Sequence, residues 1–186
     1  MDDTLVTSYT REKIIEALEK CREIKLAGVE LVGINLSGLH LRGVNMQGAK
    51  LMYSDLSGCD LQRTDFSRAN LHKAILDGAD LSDAILVRAN LSNCRLRDAN
   101  LIRANFGWAN LSGGAPTSGQ STRSVKGADL RGSNLAHADL RNANLMRADL
   151  SGADLRGANF EGANLTRADL QGAMYDETAF DRATTV

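Results

Sequence analysis

Several features common in globular enzymes and membrane proteins are scarce in this chain of 186 residues. Phe, Trp and Tyr together make up 4% of it although 43% is hydrophobic, which points to a narrow core of Leu and Ala. There is one proline, Pro116, so an inter-strand ladder can run almost anywhere else. No apolar run approaches the roughly 20 residues of a membrane-spanning helix. The three histidines (His40, His72, His137) are dispersed, and no Cys/His pair has metal-ligand spacing. A phosphate-cradling glycine loop before a helix is missing, and so is a serine nucleophile motif. The expectation is therefore no cofactor and no catalysis.

Charge of either sign is also not in excess. The net charge is −1, from 22 basic and 23 acidic side chains. Residues 1–124 hold 15 basic and 14 acidic side chains, and residues 125–186 hold 7 and 9. Direct nucleic-acid binding is not expected from such a balance. The opening MDDTLVTSYT is acidic and polar and does not read as a signal peptide, so a cytoplasmic location is expected. Cys59 and Cys94 occupy small inner positions of a repeat described below, on different faces, and Cys21 lies in a helical segment. All three read as structural thiols and not as disulfides.

What the chain does have is a period of five. An apolar residue, nearly always Leu, recurs every fifth position from Leu26 through Leu111, and again from Leu130 through Phe180, with a small residue two places before it. Ala79-Asp80-Leu81-Ser82-Asp83 is a typical unit. On an α-helix this spacing spirals around the axis, and on a straight strand it alternates between faces. The Leu residues share one interior only if each pentad forms a short edge and then turns the chain. Recurrent Asp residues could supply paired carboxylates for catalysis, but their place in the repeat suits acceptors for turn N–H groups.

These units resemble the pentapeptide-repeat family over residues 24–113 and about 123–182. The resemblance implies an all-β solenoid, a right-handed quadrilateral parallel β-helix of about seven coils spaced about 4.8 Å apart. Each coil takes four pentads and buries its apolar residues against its neighbours. The family is abundant in cyanobacteria, and most members have no assigned activity. The resemblance therefore implies a cyanobacterial member, or a fusion of two such proteins, acting as a non-catalytic structural or protein-interaction module of unknown partner. The alternative is a DNA-mimicking regulator or protector of DNA gyrase, as some quinolone-resistance members are. The rod shape carries over to this chain, but a strongly negative surface does not, because Arg63, Arg68, Arg88, Arg97 and Arg103 stud the faces.

The chain divides at the edges of the repeat. Residues 1–23 form an N-terminal segment in which Thr10 is a candidate N-cap, and Ile14, Ala17, Leu18 and Cys21 recur at helical spacing over about 10–23. Ile24, Val29, Ile34, Leu39 and Val44 replace Ala at the inner position of the first units, as expected where a capping α-helix widens the end of the core. Residues 24–113 are the first run, and 114–122 a flexible Gly/Ser/Thr-rich linker or loop with Pro116. Residues 123–182 are the second run, expected to stack on the first with unit 123–127 resuming the coil, and 183–186 are a tail. The step from Leu111 to Leu130 falls one short of a whole number of pentads, so the phase slips by one between the runs. At the C-terminal end Met174, Tyr175 and Phe180 break the pattern and read either as a cap or as a homodimer contact.

With four pentads per coil, residues in every fourth unit stack in columns. Arg63, Asp83 and Arg103 make one candidate binding column of alternating sign, and Arg68, Arg88 and Trp108 another, with a cation–π contact available between Arg88 and the indole. Asn70, Asn90 and Asn110 predict an amide ladder, and Asp60, Asp80 and Asn100 lie below His40. Ile75, Ile85, Val87, Ile102, Met52 and Met146 are outward apolar residues that together offer a partner patch.

Overall fold

A computed structural model describes residues 9–20, 24–113, 126–177 and 179–185. Among these residues one regular element appears, helix α1, Arg11–Glu19. Everything after it is a succession of turns and single-residue parallel bridges, one bridge per pentad. An all-β label is thus satisfied by ladder pairing and not by strands of ordinary length. A chain that turns at every pentad has room for one laddered residue on each edge.

The bridges set the register. Lys50 pairs with Asn70, Asn70 with Asn90, and Asn90 with Asn110, all parallel and all four pentads apart. Each repeat Leu donates its N–H to the next coil, as Leu81 does to the Asn100 carbonyl at 2.7 Å. The residue before it donates to the previous coil, as Asp80 does to the Cys59 carbonyl at 2.9 Å. Stacking coils therefore satisfies backbone groups that no coil can satisfy alone.

Local chemistry closes each turn. The small residue donates back to the carbonyl of the preceding apolar residue, for example Ala84 to Leu81 at 2.9 Å. The third residue of the turn has positive φ, from +55° at Asp98 and Arg103 to +71° at Gly38, as type II turns require. Asp or Asn before the Leu accepts, through Oδ1, the N–H two residues on, as Asp55 does from Ser57 at 2.9 Å. Where Ser or Thr stands at the small position its hydroxyl is also satisfied: Ser54 Oγ donates to the Leu51 carbonyl at 2.7 Å and Thr64 Oγ1 to the Leu41 carbonyl at 2.9 Å.

Four apolar columns fill the interior, named here by their first members Leu26, Leu31, Leu36 and Leu41. Leu81, at 0% exposure, is representative of them. The three largest buried side chains, Phe66, Phe106 and Phe160, stack in the Leu26 column with Leu86 and Leu140 between them. Cys59 and Cys94 are buried and unpaired, and burial pushes both thiols above their ordinary pKa. Cys21 lies outside the described residues.

Helix α1 begins at Thr10, whose hydroxyl accepts from Lys13 N–H at 3.4 Å. Ile14 is 1% exposed within the core, and Tyr9, Leu18, Ile24, Val29, Ile34, Leu39 and Val44 pack against it. Arg11 fastens the helix to the solenoid through the Asn35 carbonyl at 3.0 Å and the Ser37 carbonyl at 3.0 Å.

The two runs pair directly. Arg95 bridges Asp129, Asn100 bridges Asn134, and Asn110 bridges Asn144, each a wider step in sequence than the four pentads seen elsewhere. The excess equals the length of segment 114–127. The slip of phase seen in the sequence vanishes, because Leu130 is simply the next corner after Leu111. The stack is described again at Gly127, whose N–H donates to the Arg147 carbonyl at 2.8 Å, while residues 123–125 of the expected unit 123–127 lie outside the described residues. Residues 114–125, which include the whole of the expected loop, lie outside the described residues.

Candidate interaction faces

The turns build the surface. Most corners turn two residues outward, the second commonly fixed in direction by its positive φ, and each edge between corners turns out one Asp, Asn or substitute. Arg63, Asp83 and Arg103 share the corner of the Leu41 column, at φ +58°, +59° and +55°. Asp83 takes Arg103 in a two-pronged pair, Nε to Oδ1 and Nη2 to Oδ2, both at 2.7 Å, and makes none with Arg63. The Arg103 hydrogen bond holds the Asp83 carboxyl below its ordinary pKa, with Arg103 exposed and Asp83 half-buried. Such a pair contributes little stability.

Arg68, Arg88 and Trp108 share the corner of the Leu26 column. Trp108 is 62% exposed, the most open large apolar side chain described. It lines a shallow groove with Arg68, Val87 and Arg88 and a second one with Val87, Asp139 and Arg141. The cation–π contact of the described residues lies elsewhere: Lys73 Nζ sits 5.5 Å from the centre of the Tyr53 ring. The expected cation–π contact between Arg88 and the Trp108 indole is not made among the described residues.

The amide column forms as its spacing implied. Asn90 Nδ2 donates to Asn70 Oδ1 at 3.1 Å, and Asn110 Nδ2 to Asn90 Oδ1 at 3.4 Å. Bridges extend the same column through Asn144 to Asn164. In contrast, the six outward aliphatic residues do not form one patch. Ile75 pairs with Arg95 on one edge and Ile85 with Asn105 on another, while Met52 and Met146 stand at the Leu31 corner.

Two arrangements were not anticipated. One is an ion network crossing the interruption: Asp129 accepts from Arg131 Nε at 2.8 Å and from Arg97 Nε at 2.6 Å, with Arg131 also 3.6 Å from Asp149. Partial burial opposes ionisation of Asp129, yet the hydrogen bonds from Arg131 and Arg97 outweigh it and hold the carboxyl at about 2. The sequence signal is Asp-Leu-Arg, which recurs as Asp139–Arg141 and Asp154–Arg156 with the same pairing. The other is at the Leu31 corner, where Tyr53 and His72 rings meet edge-on at 5.9 Å and His72 Nδ1 lies 2.7 Å from Ser92 Oγ.

At the C-terminal end Phe180 lies 4.9 Å from Phe160 and 4.9 Å from Tyr175, ring centre to ring centre. Met174 and Tyr175 remain 48% and 46% exposed, and Phe180 is half-buried. No group of His, Cys, Asp or Glu among the described residues is arranged to hold a metal ion. No helix there is long and apolar enough to cross a membrane.

A family model described as pentapeptide repeats matches residues 20–58, 51–86, 74–113, 126–162 and 143–174. No curated protein matches the chain. Among solved structures the chain is similar to HetL, a protein involved in heterocyst differentiation regulation in the cyanobacterium Nostoc sp. strain PCC 7120. The identity is 28% over 90% of this chain and 93% of that one, with a TM-score of 0.37. It is also similar to Rfr23 from the cyanobacterium Cyanothece 51142, at 28% identity over 94% and 99% of the two chains and a TM-score of 0.30. Full-length QnrB1, a plasmid-mediated fluoroquinolone resistance protein, matches at 21% identity over 82% and 92%, with a TM-score of 0.43.

Proposed function

The chain belongs to the pentapeptide-repeat family, and from that premise we propose that it is a non-catalytic, cytoplasmic protein-interaction module whose outward columns recognise a protein partner. One observation carries this reading. The interior is filled by side chains at or near zero exposure, while the turns fix outward side chains at positive φ in a register that repeats with each coil. Specificity then resides in rigid surface columns, an arrangement suited to recognition without a deep pocket. We read the rod as about seven coils, with α1 as the cap over its first coil; the burial of Ile14 supports this.

A photo-activatable residue placed at Trp108, and separately at Ser151 on the opposite corner, tests the proposal in cells. A discrete cross-linked protein from either corner supports it, and failure at both of these and at the remaining two corners overturns it. We also propose that the C-terminal end, with Met174 and Tyr175 exposed beside half-buried Phe180, joins two copies of the chain. Sedimentation of Tyr175→Ser beside the wild type, with equal masses found, removes that part.

A second reading is a gyrase regulator, which the family resemblance implies and the carboxylate column Asp129, Asp149 and Asp169 favours. A supercoiling assay with bacterial gyrase, with and without a fluoroquinolone, decides it. Inhibition or drug protection by the protein supports this reading, and no effect at high concentration removes it for that enzyme.

A further inference from the structure

Charge on this rod is sorted by face although the net charge is −1. The face carrying Asn70, Asn90, Asn110, Asn144 and Asn164 runs between the Leu26 and Leu31 corners. From Gln47 to Arg167, the described residues of this face and its two corners include a single carboxylate, Glu161. Aspartates crowd the other three edges instead, at Asp55, Asp129, Asp149 and Asp169 on one, Asp60, Asp80 and Asp154 on the next, and Asp65 and Asp139 on the last.

Five cations at the corners of the asparagine face are unneutralised, while Lys50 on the face pairs with Glu30 and Arg141 at the Leu26 corner pairs with Asp139. Arg68 and Arg88 line one corner, and Lys73, Arg147 and Arg167 the other. None of these five makes an ion pair with a described residue, whereas Arg95, Arg97, Arg103, Arg131, Arg141 and Arg156 all do. Apolar side chains are interleaved with them: Val87 and Trp108 at one corner, Tyr53 and Met146 at the other. Coils about 4.8 Å apart make the strip from Lys50 to Asn164 about 24 Å long, the length of about seven extended residues.

We propose that this face docks an acidic protein segment lengthwise, with carboxylates against the two cationic corners and apolar side chains against Trp108 and Tyr53. The proposal rests on the reading of the chain as a protein-interaction module and names its partner class. Charge complementarity supplies the attraction and the register. A nucleic acid suits the face less well, because three aspartate-bearing edges lie on the same thin rod and the corners mix cations with aliphatic groups. A phosphate backbone is gripped through a broad excess of positive charge, which the chain lacks.

Trp108 is the sole tryptophan and stands on this face, so its emission reports occupancy directly. The probes are a peptide of Glu with interspersed Leu and Phe, long enough to span the strip, its Lys-for-Glu counterpart, and a single-stranded oligo-dT of the same extended length. A saturable change of Trp108 emission with the acidic peptide alone is expected, weakening as salt is raised. In the Arg68→Glu/Lys73→Glu/Arg88→Glu variant the affinity should fall tenfold or more, while Arg63→Glu, at another corner, should bind as wild type. Circular dichroism melts establish that each variant is folded; if the triple variant is not, Arg88→Gln and the salt dependence of the wild type carry the test. No saturable response, a salt-independent one, or equal binding by the charge-reversed variant overturns the proposal. Tighter binding of dT than of the acidic peptide overturns it in favour of a nucleic-acid face. Should the peptide fail while cross-linking at Ser151 still captures a partner, the interaction-module reading stands and only this assignment of the face falls.

Discussion

Ala128 N–H donates to the carbonyl oxygen of Leu111 at 2.9 Å, closing a turn between residues that are far apart in the sequence. Elsewhere the same bond spans a single turn, as Ala109 does to Phe106 at 2.8 Å. The closing bond of this corner is therefore made between the two runs, by Leu111 and Ala128.

Excising residues 114–127, so that Gly113 runs straight into Ala128, should leave the fold intact. Shortening the connection between Leu111 and Ala128 changes closure entropy by only about 2 kcal/mol, in the stabilising direction. Thermal melts of the shortened chain should match or exceed the wild type; loss of soluble folded protein would mean that these residues pack against the rod.

Leu81→Asp should destabilise by about 4 kcal/mol or more, because Leu81 is fully buried and a carboxylate there has no partner. Leu81→Ala should cost about 2–5 kcal/mol, depending on how far the coils collapse. Denaturant titration measures both, and an unchanged midpoint for the Asp variant would contradict the buried column.

Gly127→Ala should destabilise although its φ is not in the left-handed region. An added Cβ would meet Ala148 N at 2.6 Å and Arg147 C at 2.7 Å, backbone atoms of the next coil that cannot step aside. The expected cost is about 1–3 kcal/mol. By contrast Gly152, at φ +67°, has nothing within 4 Å of the same position, so Gly152→Ala should cost about 1 kcal/mol through backbone strain alone. Denaturant midpoints of the two variants, measured side by side, check the order; an undisturbed Gly127→Ala would contradict the close approach.

Asp129 gives a defined acid response. Its pKa is lowered from 3.8 in the free side chain to about 2 in the folded protein. The folded state thus binds its proton less readily, so the stabilisation is present above pH 3.8 and is lost as pH falls through about 2. Asp129→Asn keeps an Oδ1 acceptor for the turn and removes the titration. Melting temperature followed between these pH values should fall less steeply in the variant; parallel curves would show that the network with Arg97 and Arg131 is not felt by the fold.

Trp108 fluorescence should be quenched more by iodide than by caesium. The indole is 62% exposed and shares a groove with Arg68 and Arg88, which concentrate anions. Equal quenching by the two ions would argue against a cationic corner.

Much of this architecture is legible before any coordinates. A Leu at every fifth position can be buried only by a chain that turns as often, which is how Asn70, Asn90 and Asn110 can be placed in one ladder. Thr10 and Ile14 are readable as a cap and a buried helix position for equally local reasons. Asp83 is harder. Arg63 and Arg103 stand one coil either side of it, and sequence spacing treats them alike; only side-chain geometry gives the pair to Arg103. Trp108 is visible as an exposed indole, but whether it meets Arg88 in a cation–π contact depends on the shape of the corner.

The amino-acid sequence by itself determined the repeating turn, the buried columns and the family, because these follow from a period of five and from local hydrogen bonding within each unit. The tertiary structure alone decided where the rod is interrupted and how its charge is shared among faces. Arg147 and Arg167 fall in line with Lys73 only when Asn110 is known to pair with Asn144. That is a matter of which backbone edges meet in space, and a long-range pairing of this kind leaves no local mark on the residues that make it.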